Sequence, residues 1–182
     1  MESVVGVTVV TGAVVGLSYL AGSVADMSQN KLPRAPAQPP SWVFAVVWPL
    51  LYFLTGVSLG LALVRPSPPE AGKKKQNLSG KADEEEGSGR HLGVAFGVLG
   101  LWFDYMWTPF YVWVQQPAYS LVLTGLSLFC HGLSCLLLLG TRPVAALLQL
   151  PIVVWLSYAL FLNIQVVQET ERKGSSPSEL II

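Results

Sequence analysis

Few side chains in this sequence can do chemistry, and most of those are aromatic. Asp104 is the one strongly ionisable group inside a long apolar stretch. Placing a carboxylate in lipid costs at least about 2.5 kcal/mol, so it must face a cavity or a hydrogen-bond donor. Trp107 and Tyr111 follow three and seven residues later, on the same face of a helix. An indole N–H or a phenol could be that donor. Asp104 therefore reads either as a ligand-facing polar group or proton acceptor, or as a protonated, hydrogen-bonded packing residue.

The tryptophans form a second set. Trp42 and Trp113 stand at the ends of apolar stretches, where an aromatic belt at the lipid headgroups explains them. Trp48, Trp107 and Trp155 each lie about a turn or more inside. Trp48 and Tyr52 are spaced i, i+4. Trp155, Ala159 and Asn163 repeat that spacing, giving an aromatic wall, a small gap and a polar tip. Apolar walls with a few polar groups suit a flat, mostly apolar ligand; ordinary helix packing is the alternative reading. Cys130 and His131 are adjacent and point apart on a helix, and Cys135 is five residues from Cys130, so no pair has metal-ligand spacing. His131 reads as a hydrogen-bonded packing residue. No metal site, Ser-His-Asp arrangement, phosphate loop or carboxylate pair is expected, and no catalytic residue is assigned.

The elements that must position these residues follow from composition. The chain has 182 residues, 52% hydrophobic and 12% charged, with zero formal net charge. Ten of the 22 ionic residues fall between positions 70 and 90. What remains is too sparse to solvate a globular surface and too apolar for a disordered chain. A neutral chain with two cysteines and no Gly-X-Y period is also neither a nucleic-acid binder, a disulfide scaffold nor a collagen. An integral membrane protein remains. About 20 apolar residues cross a bilayer core as a helix, and five segments qualify: 4–24, 42–64, 92–114, 118–139 and 143–165. The expected fold is all-α, an integral membrane bundle of five transmembrane helices in a single domain. Alternating ten-residue strands of a barrel are absent. The acidic start, Met1-Glu2-Ser3, and the long apolar run after it read as a retained helix, not a signal peptide.

The connections differ. Residues 25–41 carry Pro33, Pro36, Pro39 and Pro40, too stiff for a simple hairpin. Residues 66–90, with KKK and DEEE runs among Gly, Ser and Pro, read as a disordered charged linker, and 169–182 as a flexible tail. Gln115-Gln116-Pro117 and Gly140-Thr141-Arg142 are short enough to force antiparallel neighbours. Three glycine pairs at i, i+4 (Gly12/Gly16, Gly56/Gly60, Gly93/Gly97) allow close helix approach. They serve either packing within the bundle or a homodimer seam.

Three segments together carry a family resemblance. Pro39-Pro40-Ser41-Trp42-Val43-Phe44-Ala45-Val46-Val47-Trp48-Pro49-Leu50-Leu51-Tyr52 resembles the PPxWxFxxVWxxLY signature of the translocator protein family (TspO/MBR, tryptophan-rich sensory proteins, peripheral-type benzodiazepine receptors). Asp104-Tyr105-Met106-Trp107-Thr108-Pro109 resembles its N-x-x-W-x-P element in the third helix. The stretch Pro151 to Asn163 resembles its fifth-helix P-x-x-x-W-x-x-(aromatic)-A-x-x-L-N element. The motifs occur in the family's order on its five spans.

The resemblance implies a five-helix bundle, often dimeric, binding tetrapyrroles such as protoporphyrin or haem, sterols and benzodiazepine-type compounds. By position the ligand site would include Trp48, Asp104, Trp107, Thr108, Tyr119, Trp155, Ala159 and Asn163. The expected partners are thus a tetrapyrrole or other apolar small molecule, the lipid membrane and a second copy of the chain, with no nucleic acid. No cofactor is expected, porphyrin or haem entering as ligand. Two alternatives are a light-dependent porphyrin-degrading enzyme and a regulatory scaffold recruiting partners through the 66–90 segment. A eukaryotic member would sit in the mitochondrial outer membrane, others in another organelle membrane or a bacterial outer membrane. The chain departs from the pattern in placing Asp104 where the family usually has asparagine, and in lacking a tyrosine with a nearby basic residue after Asn163.

Overall fold

The computed structural model describes residues 2–24, 31–64 and 80–174. They form five helices: α1 (Glu2–Val24), α2 (Ser41–Leu63), α3 (Gly80–Pro109), α4 (Pro117–Thr141) and α5 (Pro143–Gly174). Proline sets several of the boundaries. Pro40 caps α2 in an extended conformation (φ −55°, ψ 147°), and Pro117 and Pro143 open α4 and α5. A missing N–H costs nothing in a first turn, where no carbonyl awaits it. Pro109 disturbs the ladder at the end of α3, and Phe110–Val114 continues as one wider π-helical turn. That turn closes on Gln115, which takes a left-handed conformation (φ 54°) and donates its N–H to the Phe110 carbonyl at 3.1 Å.

Two helices outrun their apolar segments. Residues 80–90 of the expected linker are the first turns of α3, and α5 continues through 169–174 of the expected tail. Hydropathy locates what lipid covers, whereas Glu, Lys, Ala and Arg beyond that limit are good helix formers and prolong the ladder into water. The Glu169–Arg172 pair at 2.9 Å supports the last turns of α5. Residues 66–79 and 175–182 lie outside the described residues.

The helices pack in a ring. α1 lies on α2, α2 on α5, α5 on α4 and α4 on α3, with α3 touching α2 and α1 more lightly. The one-residue link Arg142 makes α4 and α5 an antiparallel pair. Glycine sets the closest approaches. A methyl group on Gly56 or Gly60 would come within 2.8 Å of the Thr11 or Val7 Cα, so α1 lies directly against the backbone of α2. On α3, Gly93, Gly97 and Gly100 make room for Leu138, Ser134 and the His131 ring. Two of the three glycine pairs thus serve packing within the bundle. Gly12 and Gly16 have nothing within 4 Å and lie on its outside.

The bundle buries a set of polar side chains among its apolar core clusters and is apolar outside. Thr55, Ser58, Asp104, Ser120, Thr124, Ser127, His131, Ser134, Gln149 and Asn163 are all buried, while Val9, Val46, Phe129, Leu136 and Val154 are each more than half exposed. Water would drive the opposite arrangement; lipid permits this one. Among the described residues α2, α4 and residues 143–173 of α5 are long and apolar enough to cross a membrane, and the apolar stretch described in α1, Val5–Leu17, is shorter. α3 is less apolar along its length because it opens with the charged turns of residues 80–90 and carries Asp104 in its apolar part.

Candidate functional site

α2 and α5 bring the first aromatic groups together. Trp48 stacks on Tyr52 one turn later (ring centroids 5.4 Å apart, planes 25° from parallel), as the i, i+4 spacing requires. Trp155 meets Trp48 edge to face at 6.4 Å and Phe44 at 5.8 Å. Tyr158, three residues after Trp155, lies 5.6 Å from it. Edge-to-face contacts place the positive ring edge of one partner on the negative face of the other. From Tyr52 the run reaches α3 at Tyr105, 5.5 Å away, whose hydroxyl donates to the Val14 carbonyl of α1 at 2.9 Å.

Trp107 joins this run indirectly. Its indole stacks on Tyr111 at 4.4 Å and 14°. Together with Phe44 and Tyr158 it packs on a buried cluster of Ala35, Tyr111, Val112, Leu162 and Val166. Phe44 and Tyr158 therefore bridge Trp107 to Trp155. Residues 31–40 fold over this end of the bundle. Ala35 is buried there, the Tyr158 hydroxyl donates to the Ala37 carbonyl at 2.8 Å, and the Ala37 N–H donates to Gln165 Oε1 at 3.2 Å. A proline-rich segment with few internal hydrogen bonds is thereby strapped to α5.

Polar groups complete the site. The Trp107 N–H points to Asn163 Oδ1 at 3.4 Å, and Asn163 Nδ2 donates to the Ala159 carbonyl at 2.8 Å and to Thr124 Oγ1 at 3.3 Å. Thr124 in turn donates to the Ser120 carbonyl at 2.9 Å. The stripe Trp155, Ala159, Asn163 exists as spaced, with its polar tip tied to Trp107 on α3. Trp155 Nε1 is buried without a hydrogen-bond partner. Trp155 also lines an apolar groove of about 710 Å³ between α2 and α5, with Val47, Leu51, Leu147, Leu150 and Val154.

Trp48, Trp107, Trp155, Ala159 and Asn163 are thus parts of one connected assembly. Thr108 is half-buried beside Trp107 in the last turn of α3. Two expected residues stand elsewhere. Tyr119 is 56% exposed and packs edge-on against Phe110 at 6.1 Å. The buried face of α4 here runs through Pro117, Ser120 and Thr124, and Tyr119 sits about 100° round from Ser120. Asp104 is buried against α4 and takes its donors from there, not from Trp107 or Tyr111. Ser127 Oγ donates to Asp104 Oδ1 at 2.5 Å, and His131 Nε2 lies 3.2 Å from Asp104 Oδ2. Same-face spacing on one helix could not reveal donors supplied by its neighbour. Phe44 and Tyr158, one turn from Trp48 and Trp155, were within reach of that spacing argument; the strap through Ala37 and Gln165, 128 residues apart, was not.

Known proteins are similar to this chain in sequence. The TspO/MBR family profile matches residues 4–168. The chain belongs to the TspO/MBR family. It is 30% identical over 140 residues to protein CrtK of Rhodobacter capsulatus, covering 75% of this chain and 74% of that protein. It is 26% identical over 130 residues to the tryptophan-rich protein TspO of Chlorobaculum tepidum, covering 71% of each. The translocator protein of Ovis aries is 27% identical over 179 residues, which span 94% of this chain and 92% of the sheep protein. The described aromatic assembly falls wholly within the matched family region.

Proposed function

We propose that the chain binds tetrapyrroles and related flat, apolar ligands from within the membrane, as a binding protein or transporter. The observation that carries this reading is the aromatic wall of Trp48, Phe44, Trp155 and Tyr158 beside the α2–α5 groove, with the Trp155 N–H buried and lacking an acceptor. A conjugated macrocycle offers those rings a large apolar face, and a carbonyl or carboxylate at its edge would accept from the indole. The Trp107–Asn163–Thr124 chain supplies a second polar point beneath the 31–40 strap. Membership of a family that includes a protein named translocator supports a membrane ligand. Residence in the mitochondrial outer membrane, where the source is eukaryotic, and pairing of two copies along the outer Gly12/Gly16 face belong to the same proposal.

Protoporphyrin IX added to the detergent-purified protein should quench tryptophan fluorescence saturably. The Trp107→Phe/Trp155→Phe double variant, followed through its four remaining tryptophans, should bind about tenfold more weakly, a loss of about 1.4 kcal/mol. Unchanged affinity in that variant would place the ligand elsewhere.

A further inference from the structure

A row of buried polar side chains runs along the inner face of α4 and takes no part in the aromatic site except at one end. Ser120, Thr124, Ser127, His131 and Ser134 succeed one another at spacings of four and three, and each is buried. The fourteen steps from Ser120 to Ser134 cover about 21 Å at 1.5 Å each, most of a hydrocarbon core about 30 Å thick. α3 meets this row at Gly93, Gly97 and Gly100, whose missing side chains admit Leu138, Leu59 with Ser134, and the His131 ring.

An ionisable pair occupies the middle. Asp104 and His131 are 3.2 Å apart, with the imidazole wholly buried, and Ser127 holds the other carboxylate oxygen. Polar atoms with unused hydrogen-bonding capacity lie to either side. His131 Nδ1, both amide atoms of Gln149 and Ser120 Oγ are buried without a protein partner. A Cβ built on Gly97 would lie 2.7 Å from Leu59 Cδ2, 3.1 Å from Ser134 Oγ and 3.4 Å from Gln149 Nε2. One built on Gly100, a turn further on, would touch the His131 ring at 2.7 Å. The unpartnered amide of α5 and the imidazole therefore border adjacent turns of the same glycine face. Beyond Ser127, Thr124 bonds Asn163, which accepts from the half-buried Trp107.

We propose that this seam conducts protons along the bundle, with Asp104 and His131 as the site that holds the proton in transit. Ionisable side chains inside membrane helices mark relays of this kind, and buried polar groups lacking protein partners are where ordered water bridges a chain of hydrogen bonds. The transfer balances. A proton arriving at His131 Nδ1 makes an imidazolium. Its Nε2 proton passes to Asp104 Oδ2, leaving a neutral imidazole and a carboxylic acid. The acid, its proton exchanged to Oδ1, hands it to the Ser127 oxygen as that hydroxyl turns from the carboxylate and gives its own proton to an ordered water on the Thr124 side. The imidazole loses its Nδ1 proton to water and regains one at Nε2, which again faces the carboxylate. The other titratable groups packed around the pair are Tyr105 on α3, Tyr52 on α2 and Cys130 on α4, while α5 brings the amides Gln149 and Asn163.

The test uses the full chain in phosphatidylcholine vesicles loaded with a pH-sensitive dye, with a potassium diffusion potential set by valinomycin. Wild-type vesicles should acidify roughly threefold or more faster than protein-free vesicles, and Asp104→Asn should remove that excess. Gln149→Leu gives an arm that does not depend on the pair's stability. Exchanging an unpartnered buried amide for an apolar group of similar volume should leave the melting temperature equal or higher, yet slow the flux toward the protein-free rate. Wild-type flux no faster than empty vesicles, or a folded Asp104→Asn or Gln149→Leu protein that conducts like wild type, overturns the proposal.

Discussion

A carboxylate survives in a membrane helix when the neighbouring helix supplies its donors, and Asp104 meets that condition twice, through Ser127 and His131. A pair of this kind is costly to break and cheap to replace. Asp104→Leu should lower stability by about 3–5 kcal/mol, because it leaves a buried imidazole unpaired. Asp104→Leu/His131→Leu should recover most of that loss. Unfolding of both variants in mixed micelles, compared with the single His131→Leu change, measures the coupling directly. If the double variant is as unstable as the sum of the two single ones, the pair contributes nothing through its mutual contact. Asp104 was recognisable from the sequence as a buried group in need of a donor. The identity of the donor was not, since Ser127 and His131 are 23 and 27 residues away and meet it only once α3 and α4 pack.

At the scale of elements, glycine and the strap decide how helices sit. Gly56→Ala would push a methyl group against the α1 backbone and should cost about 1–3 kcal/mol, seen as a lower melting temperature of the detergent-purified protein. Within one chain Gly12→Ala has open space around it and should leave the melting temperature of the monomer unchanged. Equal effects at the two positions would mean that α1 is not held against α2 at Thr11. The 31–40 segment is tied to α5 by the Tyr158 hydroxyl and Gln165. Tyr158→Phe removes one of these bonds, worth about 1 kcal/mol, and should speed amide exchange or proteolytic cutting near Ala37 without altering the helical circular dichroism. The three glycine pairs look alike as sequence. Only packing distinguishes the two that are covered from the one that faces outward.

For the molecule as a whole, an apolar exterior over an interior that holds many polar side chains is the defining feature. Phe129, mid-way along α4 and 63% exposed, faces lipid on this reading. Phe129→Lys should cost about 2.5–3.5 kcal/mol of insertion free energy and reduce the membrane-integrated yield. In a water-soluble bundle the same change would raise solubility, so fractionation of expressed protein separates the two outcomes. α4 lies between α3 and α5 with the buried polar row on its inner face, so disturbance there should reach both neighbours.

Five helices, their order and their membrane setting were written into local composition: apolar stretches of bilayer length, prolines at the joints, and charge concentrated in one connection and scarce within the spans. The Trp48–Tyr52 and Trp155–Ala159–Asn163 stripes were equally readable, because a helix converts spacing into a shared face without help from elsewhere. Contacts between helices were not, because they depend on rotation and depth, which glycine clearances and side-chain packing set jointly. Hence Asp104 turned to α4, Tyr119 turned outward, and Trp107 reached Asn163 across 56 residues. A periodic pattern determines which way a residue faces on its own helix; only the assembled bundle determines what it meets there.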